Sequence, residues 1–463
     1  MDFREFRNYM IGFLQIVEDT ALKLLETEKS INDIAINVKK FGAKGDGITD
    51  DSNAIKAAIA SLPVTGGSLI FPTGKYIQGN GTNKDCSFMF IGKNNIKIIG
   101  NGSVIEAHPN NPPIPECRGF WFENGKNISI ENLTYNGRLD SRTELGGDGT
   151  WANRQHAFAF RNGCQQVTLT NVTALNSMMD GFNCAHGHDY LFINCISEYS
   201  YRQGLTIGNA KNLKFIGGSL SKTGKLKGTL PKCGVDIEAD GGTEDIENQG
   251  RYLSFEGVRF DDNVGGGLNI HNGARFVTSK NCIFTKSGIY TIGTAAHTVI
   301  ESCVFLEANC EILGDFCIIK DNYFEGKTKS SLIIVRKALD GIGGRFCTVT
   351  GNKMLSKSTS LGNISKVRIN VDKADYIMIS DNHILNGGST GESTGTPAIQ
   401  VTKSKGASVK NNTCVLDIPI DNVAAWGIFV EGESVDVVGN KLFGYEAATI
   451  NKGIVVIDST GGI

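Results

Sequence analysis

The stretch Cys233–Asp240 reads Cys-Gly-Val-Asp-Ile-Glu-Ala-Asp. As a strand it sends Val235 and Ile237 to one face and Asp236 and Glu238 to the other, because side chains alternate with period two. The α-carbons of Asp236 and Glu238 are then ~6.8 Å apart. That spacing suits an acid/base pair of the inverting kind, in which a water sits between a carboxylate and a sugar ring. Crowding of like charges would hold one of the two protonated as the acid.

Similar strands recur on both sides of this one. They are His156-Ala-Phe-Ala-Phe-Arg161, Asp180-Gly-Phe-Asn-Cys-Ala185, Gln203-Gly-Leu-Thr-Ile-Gly208 and Gly266-Gly-Leu-Asn-Ile-His271. Stacked in register, their third and fifth residues make an apolar ladder. Their fourth and sixth residues make two outward polar columns: Ala159, Asn183, Thr206, Asp236, Asn269, and Arg161, Ala185, Gly208, Glu238, His271. The catalytic candidates are Asp236 and Glu238, with His271 one rung away and Asp180 at a first position. Asn183, Asn269, Arg161 and His156 are substrate-binding candidates on the same face, and Trp151 and Tyr201 offer flat rings to a sugar. Outward strand positions are also commonly just solvated. His186 and His188, in Ala-His-Gly-His-Asp189, read as metal ligands, an acid/base pair or a solvated turn.

These strands need a scaffold that repeats. From residue 93 onward a degenerate unit recurs, as in Ile128-Ser-Ile-Glu-Asn-Leu-Thr-Tyr and Val167-Thr-Leu-Thr-Asn-Val-Thr-Ala. Thirteen polar turn markers run from Gly100 through Asn132, Asn171 and Asn194 to Gly439, mostly twenty to thirty residues apart. A unit of that length with short strands and no helix is one rung of a solenoid. Thirteen rungs at ~4.8 Å make a rod of roughly 60 Å. The turn Asn is expected to be structural, left-handed or stacked in a ladder. Two longer intervals carry loops, Gly137–Asn153 and Thr223–Lys232, that precede the His156 and Cys233 strands and predict a groove.

The composition agrees. Of 463 residues 57 are Gly and 9 Pro, which suits many short strands with tight turns. A net charge of −2 leaves no electrostatic case for nucleic acid or an anionic membrane as partner. No apolar run reaches the length of a membrane span. The 12 Cys are scattered, without a C-x-x-C pair, and Cys184, Cys195, Cys282, Cys303 and Cys347 fall at apolar strand positions as small buried hydrophobes. Neither zinc ligation nor bridging is expected of them, and a reducing cytoplasm is the expected place of folding.

Ahead of the rungs, apolar or Thr residues spaced by three and four (Phe3, Phe6, Met10, Phe13, Val17, Thr20, Leu24, Thr27, Ile31, Ile34) predict an amphipathic, coiled-coil-like attachment segment over 1–36, the alternative being one helix packed on its own domain. Thr49, Asp50 or Asp51 can N-cap a helix with Ala54, Ile55, Ala58, Ile59 and Leu62 on its apolar face. The block Phe41-Gly-Ala-Lys-Gly-Asp-Gly-Ile-Thr-Asp-Asp51, Ala54-Ile55, Gly66-Gly67 and Pro72-Thr-Gly-Lys-Tyr76 resembles the N-terminal cap of the pectate-lyase-like superfamily. The resemblance implies an all-β, single-stranded right-handed parallel β-helix of about thirteen rungs over 93–463, with a cap over 37–92. Asp46, Asp50 and Asp51 then form turns and caps. The helical start, the cap and Gly234-Val-Asp-Ile-Glu238 together are similar to bacteriophage tailspikes and tail-associated depolymerases.

That resemblance implies a homotrimeric virion protein, folded in the host cytoplasm, attached to a phage tail or baseplate through residues 1–36. It would bind and cleave a bacterial surface polysaccharide. Hydrolysis by Asp236 and Glu238, with no cofactor, is the leading expectation. A lyase with His271 as base and a Ca²⁺ ion, a non-catalytic receptor spike, and an extracellular setting are the alternatives.

Overall fold

The computed structural model describes residues 35–458, apart from 83–84, 112–117, 143–154, 239–249, 272, 293, 327–330, 338–340, 342, 357–368, 387–396, 417–425 and 445–451. The helical segment expected over 1–36 thus lies almost wholly outside the described residues, and so does Trp151. The chain is a right-handed parallel β-helix. Each rung contributes strands to a 28-stranded and a 14-stranded sheet, and every strand pairing is parallel.

The turn spacing has a direct structural cause. Asn132, Asn171, Asn194, Asn281 and Asn411 all have φ of 51–54°, and Gly217, Gly257, Gly351 and Gly439 have φ of 63–70°. Twelve of the thirteen markers take this left-handed bend, which Asn and Gly tolerate best. At the first it falls one residue later, on Asn101. Among the described residues thirteen such bends separate the fourteen strands of the smaller sheet, in keeping with the expected rod of about thirteen rungs.

Ladders run along the rod. Inside, Phe158, Phe182, Leu205, Val235, Leu268 and Ile289 stack in register and are fully buried, as the alternation requires. Asn322, Asn352, Asn382 and Asn412 form a buried amide ladder in which each Nδ2 donates to the Oδ1 of the residue above, ending on Asn440, at 2.9–3.0 Å. Each amide also closes backbone donors and carbonyls, so the interior turn carries no orphaned polar group. Outside, Tyr252, Phe276, His297, Phe316, Phe346 and Tyr376 stack face to face at 4.9–5.1 Å. Within the stack each inner ring has both faces taken by its neighbours.

The helix Ser52–Ala60 covers the first rung with Ile55, Ala58 and Ile59 buried. Asp51 stands at its N-cap, yet its carboxylate accepts from the backbone N–H groups of Lys44, Gly45 and Ile77. Asp46 accepts from Ile48 and Thr49, and Asp50 from Ser52 and Gly79. All three aspartates are turn-formers.

Among the described residues ten cysteines are free and buried. Cys86 departs from the expectation for this residue type, being disulfide-bonded. Among the described residues no helix is long and apolar enough to cross a membrane.

Candidate functional site

The site lies on the smaller sheet, where the strands Phe120–Glu123, Phe158–Arg161, Phe182–Ala185, Leu205–Gly208, Val235–Glu238, Leu268–Ile270 and Ile289–Thr291 follow one another. Register places Thr206 beside Asp236 and Asp236 beside Asn269, and Gly208 beside Glu238. The His271 N–H donates to the Ile237 carbonyl, which sets His271 alongside Glu238. Gly208 carries no side chain, so the surface next to Glu238 is open.

The outward polar column is not wet. Asp236 is 1% exposed. Its carboxylate accepts a hydrogen bond from the Gln203 amide. The His271 Nε2 lies 2.9 Å from Asp236 Oδ1. The approach is short, but its angle is not that of an aligned hydrogen bond. Asp180 is fully buried as well. It accepts from Thr206 Oγ1 at 2.6 Å and Asn183 Nδ2 at 3.1 Å, and sits 3.2 Å from His156 Nδ1. Burial alone would raise the Asp180 carboxyl, but His156, Arg202 and Thr206 outweigh it and hold it down at about 2.

The expectation of a solvent-facing row is therefore corrected for most of its members. His156, Arg161, Asn183 and Asp180 are buried, and Arg161 Nη1 donates to Asn183 Oδ1 at 2.9 Å. They form a polar network beneath the surface, satisfied largely from within, and cannot reach a polymer without rearrangement. Alternation decides which sheet face a side chain takes. It does not say what the preceding turns lay over that face. Tyr201 is half-buried in the turn before Gln203.

What remains accessible is Glu238, with 27% of its side chain exposed, and His271, with 35%. Arg202 joins them, its Nη2 donating to Glu238 Oε1 at 3.0 Å. Burial first, and the Asp236 charge second, push Glu238 up to about 7 against the pull of Arg202. Asp236 raises His271 above the ordinary imidazole value, against the effect of burial. The patch holds a carboxyl protonated near neutrality, an imidazole backed by a buried carboxylate, and a guanidinium. These are groups for proton transfer to and from a polyhydroxylated ligand.

Arg202 was missed by sequence reasoning, being a turn residue outside the strand pattern. Its only signal is that it immediately precedes Gln203, the first residue of a site strand. Trp121 was missed too. It is buried, stacks 6.0 Å from His156, and carries Arg118 over its ring at 4.2 Å. His188 pairs with Asp189 at 2.8 Å at the start of the strand His188–Ile193, so the pair stands on the rung and not in a turn. Among the described residues no group of three His, Cys, Asp or Glu is placed to hold a metal ion.

Comparison with known proteins fits this architecture. The chain is 29% identical over 244 residues to the plasmin and fibronectin-binding protein A of Streptococcus pneumoniae, covering 48% of this chain and 29% of that protein. It is 26% identical over 204 residues to the mannuronan C5-epimerase AlgE1 of Azotobacter vinelandii, covering 38% and 14%. A 67-residue stretch, 14% of this chain and 8% of the other, is 46% identical to alginate lyase 7 of the same organism. The chain thus spans less than a third of each of these relatives. Among solved structures, the N-terminal fragment of bacteriophage Phi29 gene product 12 superposes with a TM-score of 0.65 at 16% identity, covering 93% of this chain and 74% of that one. The profile of one family takes in residues 35–314, more than half of the chain. The chain belongs to the rhamnogalacturonase A/epimerase, pectate lyase-like family.

Proposed function

We propose that the chain is a polysaccharide-cleaving enzyme that works by β-elimination on a uronate-containing bacterial surface glycan. The observation that carries this is the division of labour on the site face: Asp236 is sealed, while Glu238, His271 and Arg202 are accessible together. Hydrolysis by an Asp236/Glu238 pair needs both carboxyls to reach the sugar or its water. A buried Asp236 serves instead as the group that orients His271 and supports its positive charge.

In this reading His271, with Nε2 turned to Asp236, takes the proton from the sugar carbon next to the carboxylate through Nδ1. The electron pair of that C–H bond forms the ring double bond, and the bond from the neighbouring carbon to the glycosidic oxygen breaks. Glu238, protonated near neutrality, gives its proton to the departing oxygen. Arg202 beside it stabilises the negative charge gathering on the substrate carboxylate. The relatives described as a mannuronan C5-epimerase and an alginate lyase support uronate chemistry.

Acid/base hydrolysis is the second reading, favoured by one observation: a carboxyl raised to about 7 is what a glycosidase acid requires. We place the protein on a phage tail as a homotrimer. The fold likeness to a phage gene product and the resemblance of the cap and the Gly234–Glu238 strand to tailspikes support that setting. Incubation with purified capsular and wall polysaccharides separates the readings. Elimination yields shorter chains with ultraviolet-absorbing unsaturated ends, hydrolysis yields new reducing ends without that absorbance, and a receptor spike binds with no change in polymer size.

A further inference from the structure

Beyond His271, toward the C-terminal rungs, the same face opens into a cavity of about 300 Å³ whose lining includes Asn269, Tyr290, Ile292, Glu311, Leu313 and Arg336. Register puts Tyr290 directly above Asn269, which is directly above Asp236. Successive rungs are ~4.8 Å apart, so the cavity begins one rung beyond the proton-transfer groups and extends along the rod. None of its lining residues above Asn269 belongs to the machinery described so far.

Three features identify what it takes. Asn269 is 7% exposed, and its Oδ1 has no hydrogen-bond partner, a buried acceptor left waiting for a donor. Tyr290 is fixed by its hydroxyl, which donates to Asn309 Oδ1 at 3.1 Å, and with Ile292 and Leu313 it gives the cavity an apolar wall. Ile292 is 38% exposed, so its apolar side chain is open to a ligand on this wall. The only charges are matched: Glu311 Oε1 accepts from Arg336 Nε at 2.8 Å and from its Nη2 as well. An acidic ligand would meet Glu311 without a spare cation, while a hydroxyl-bearing ring with one apolar face suits both the wall and the amide oxygen.

We infer that this cavity is a subsite for an uncharged sugar on the C-terminal side of the reacting bond. The inference rests on the enzyme reading above and narrows it. The substrate is a heteropolymer in which a neutral sugar follows the uronate, not a homopolymer of uronates.

The test uses the full chain bearing Glu238→Gln to prevent turnover, alone and combined with Ile292→Asp or Tyr290→Ala. Each is probed on an array of purified bacterial heteropolysaccharides, neutral homopolymers and polymannuronate. The expected result is retention of a heteropolymer containing neutral sugar, reduced at least tenfold by Ile292→Asp and by Tyr290→Ala, with the melting temperature of the Ile292→Asp protein unchanged. Binding indifferent to Ile292→Asp, retention of polymannuronate alone, or retention of nothing overturns the subsite. The two readings fail separately. Cleavage by the unsubstituted protein with the same KM after Ile292→Asp removes the subsite and leaves the enzyme. Binding that Ile292→Asp abolishes, without cleavage by the unsubstituted protein, leaves the subsite and removes the enzyme.

Discussion

Replacing Asp236 by Asn acts on both accessible titrating groups at once, and in the same direction. The Asp236 charge raises Glu238 by repulsion and raises His271 by attraction. At an effective dielectric of about 20, two charges ~6.8 Å apart interact by roughly 2 kcal/mol. Partial exposure of Glu238 cuts this to about 1 kcal/mol, a little under one pH unit. For His271, 2.9 Å from Asp236 but a third exposed, losing the carboxylate acts downward as well. Asn retains an oxygen to accept from Gln203, so the fold is expected to survive. Imidazole and carboxyl titrations followed by NMR should show His271 and Glu238 both moving to lower pH, Glu238 by a little under one unit. The pH profile of kcat/KM should move the same way as a whole. If neither group moves, or if the profile loses height without shifting, Asp236 does not set the protonation of this site and the reasoning fails.

Glu238→Gln removes the proton donor while keeping size and a hydrogen-bond partner for Arg202; activity should fall by roughly 10²–10⁴ with polymer binding intact, measured by turnover against gel retention. In the unsubstituted protein, the proposed activity should decline as the pH rises through about 7, where Glu238 loses its proton. Asp180→Ala leaves Thr206, Asn183 and His156 buried around a missing charge and should cost roughly 3–5 kcal/mol in denaturant unfolding. The Asp180 carboxyl is depressed from 3.8 to about 2, so its contribution is present above pH 3.8 and lost as the pH falls toward 2; the unsubstituted protein should therefore show an acid limb of unfolding in that window which the variant lacks. Asn382→Ala interrupts the amide ladder and should lower stability by roughly 1–3 kcal/mol for each buried group left unpaired, seen as a lower melting temperature.

Much of the fold was legible because it rests on local rules repeated many times. A left-handed residue at each turn, mostly Asn or Gly with Ser302, Asp321 and Asp381 in the same place, set the rungs, and period-two alternation placed Phe158, Phe182, Leu205, Val235 and Leu268 in one ladder with the register the sequence implies. The cap was readable from Phe41–Tyr76 because its aspartates and glycines answer to specific turns. The site was only half legible. The strand pattern brought Asp236, Glu238 and His271 together, since all three lie on strands or at their ends. It misjudged their exposure, because the Gln203 amide and the His271 imidazole reach across to Asp236, and alternation sets the face a side chain takes but not where its end lies. Arg202 escaped for the same reason: turns carry no period. Asn269 and Tyr290 were visible as polar and aromatic positions, but only the register of three rungs shows that they share one cavity.

The central claim is that a sugar polymer meets the protein at Glu238 and His271, with Asp236 behind them. A crystal structure of the Glu238→Gln protein soaked with a fragment of its polysaccharide tests this most directly. The account predicts the glycosidic oxygen within hydrogen-bonding reach of the side chain at position 238 and the sugar carbon beside the carboxylate against His271 Nδ1, with the next ring over Tyr290. A glycan seated elsewhere on the rod, leaving position 238 and His271 uncontacted, would contradict it.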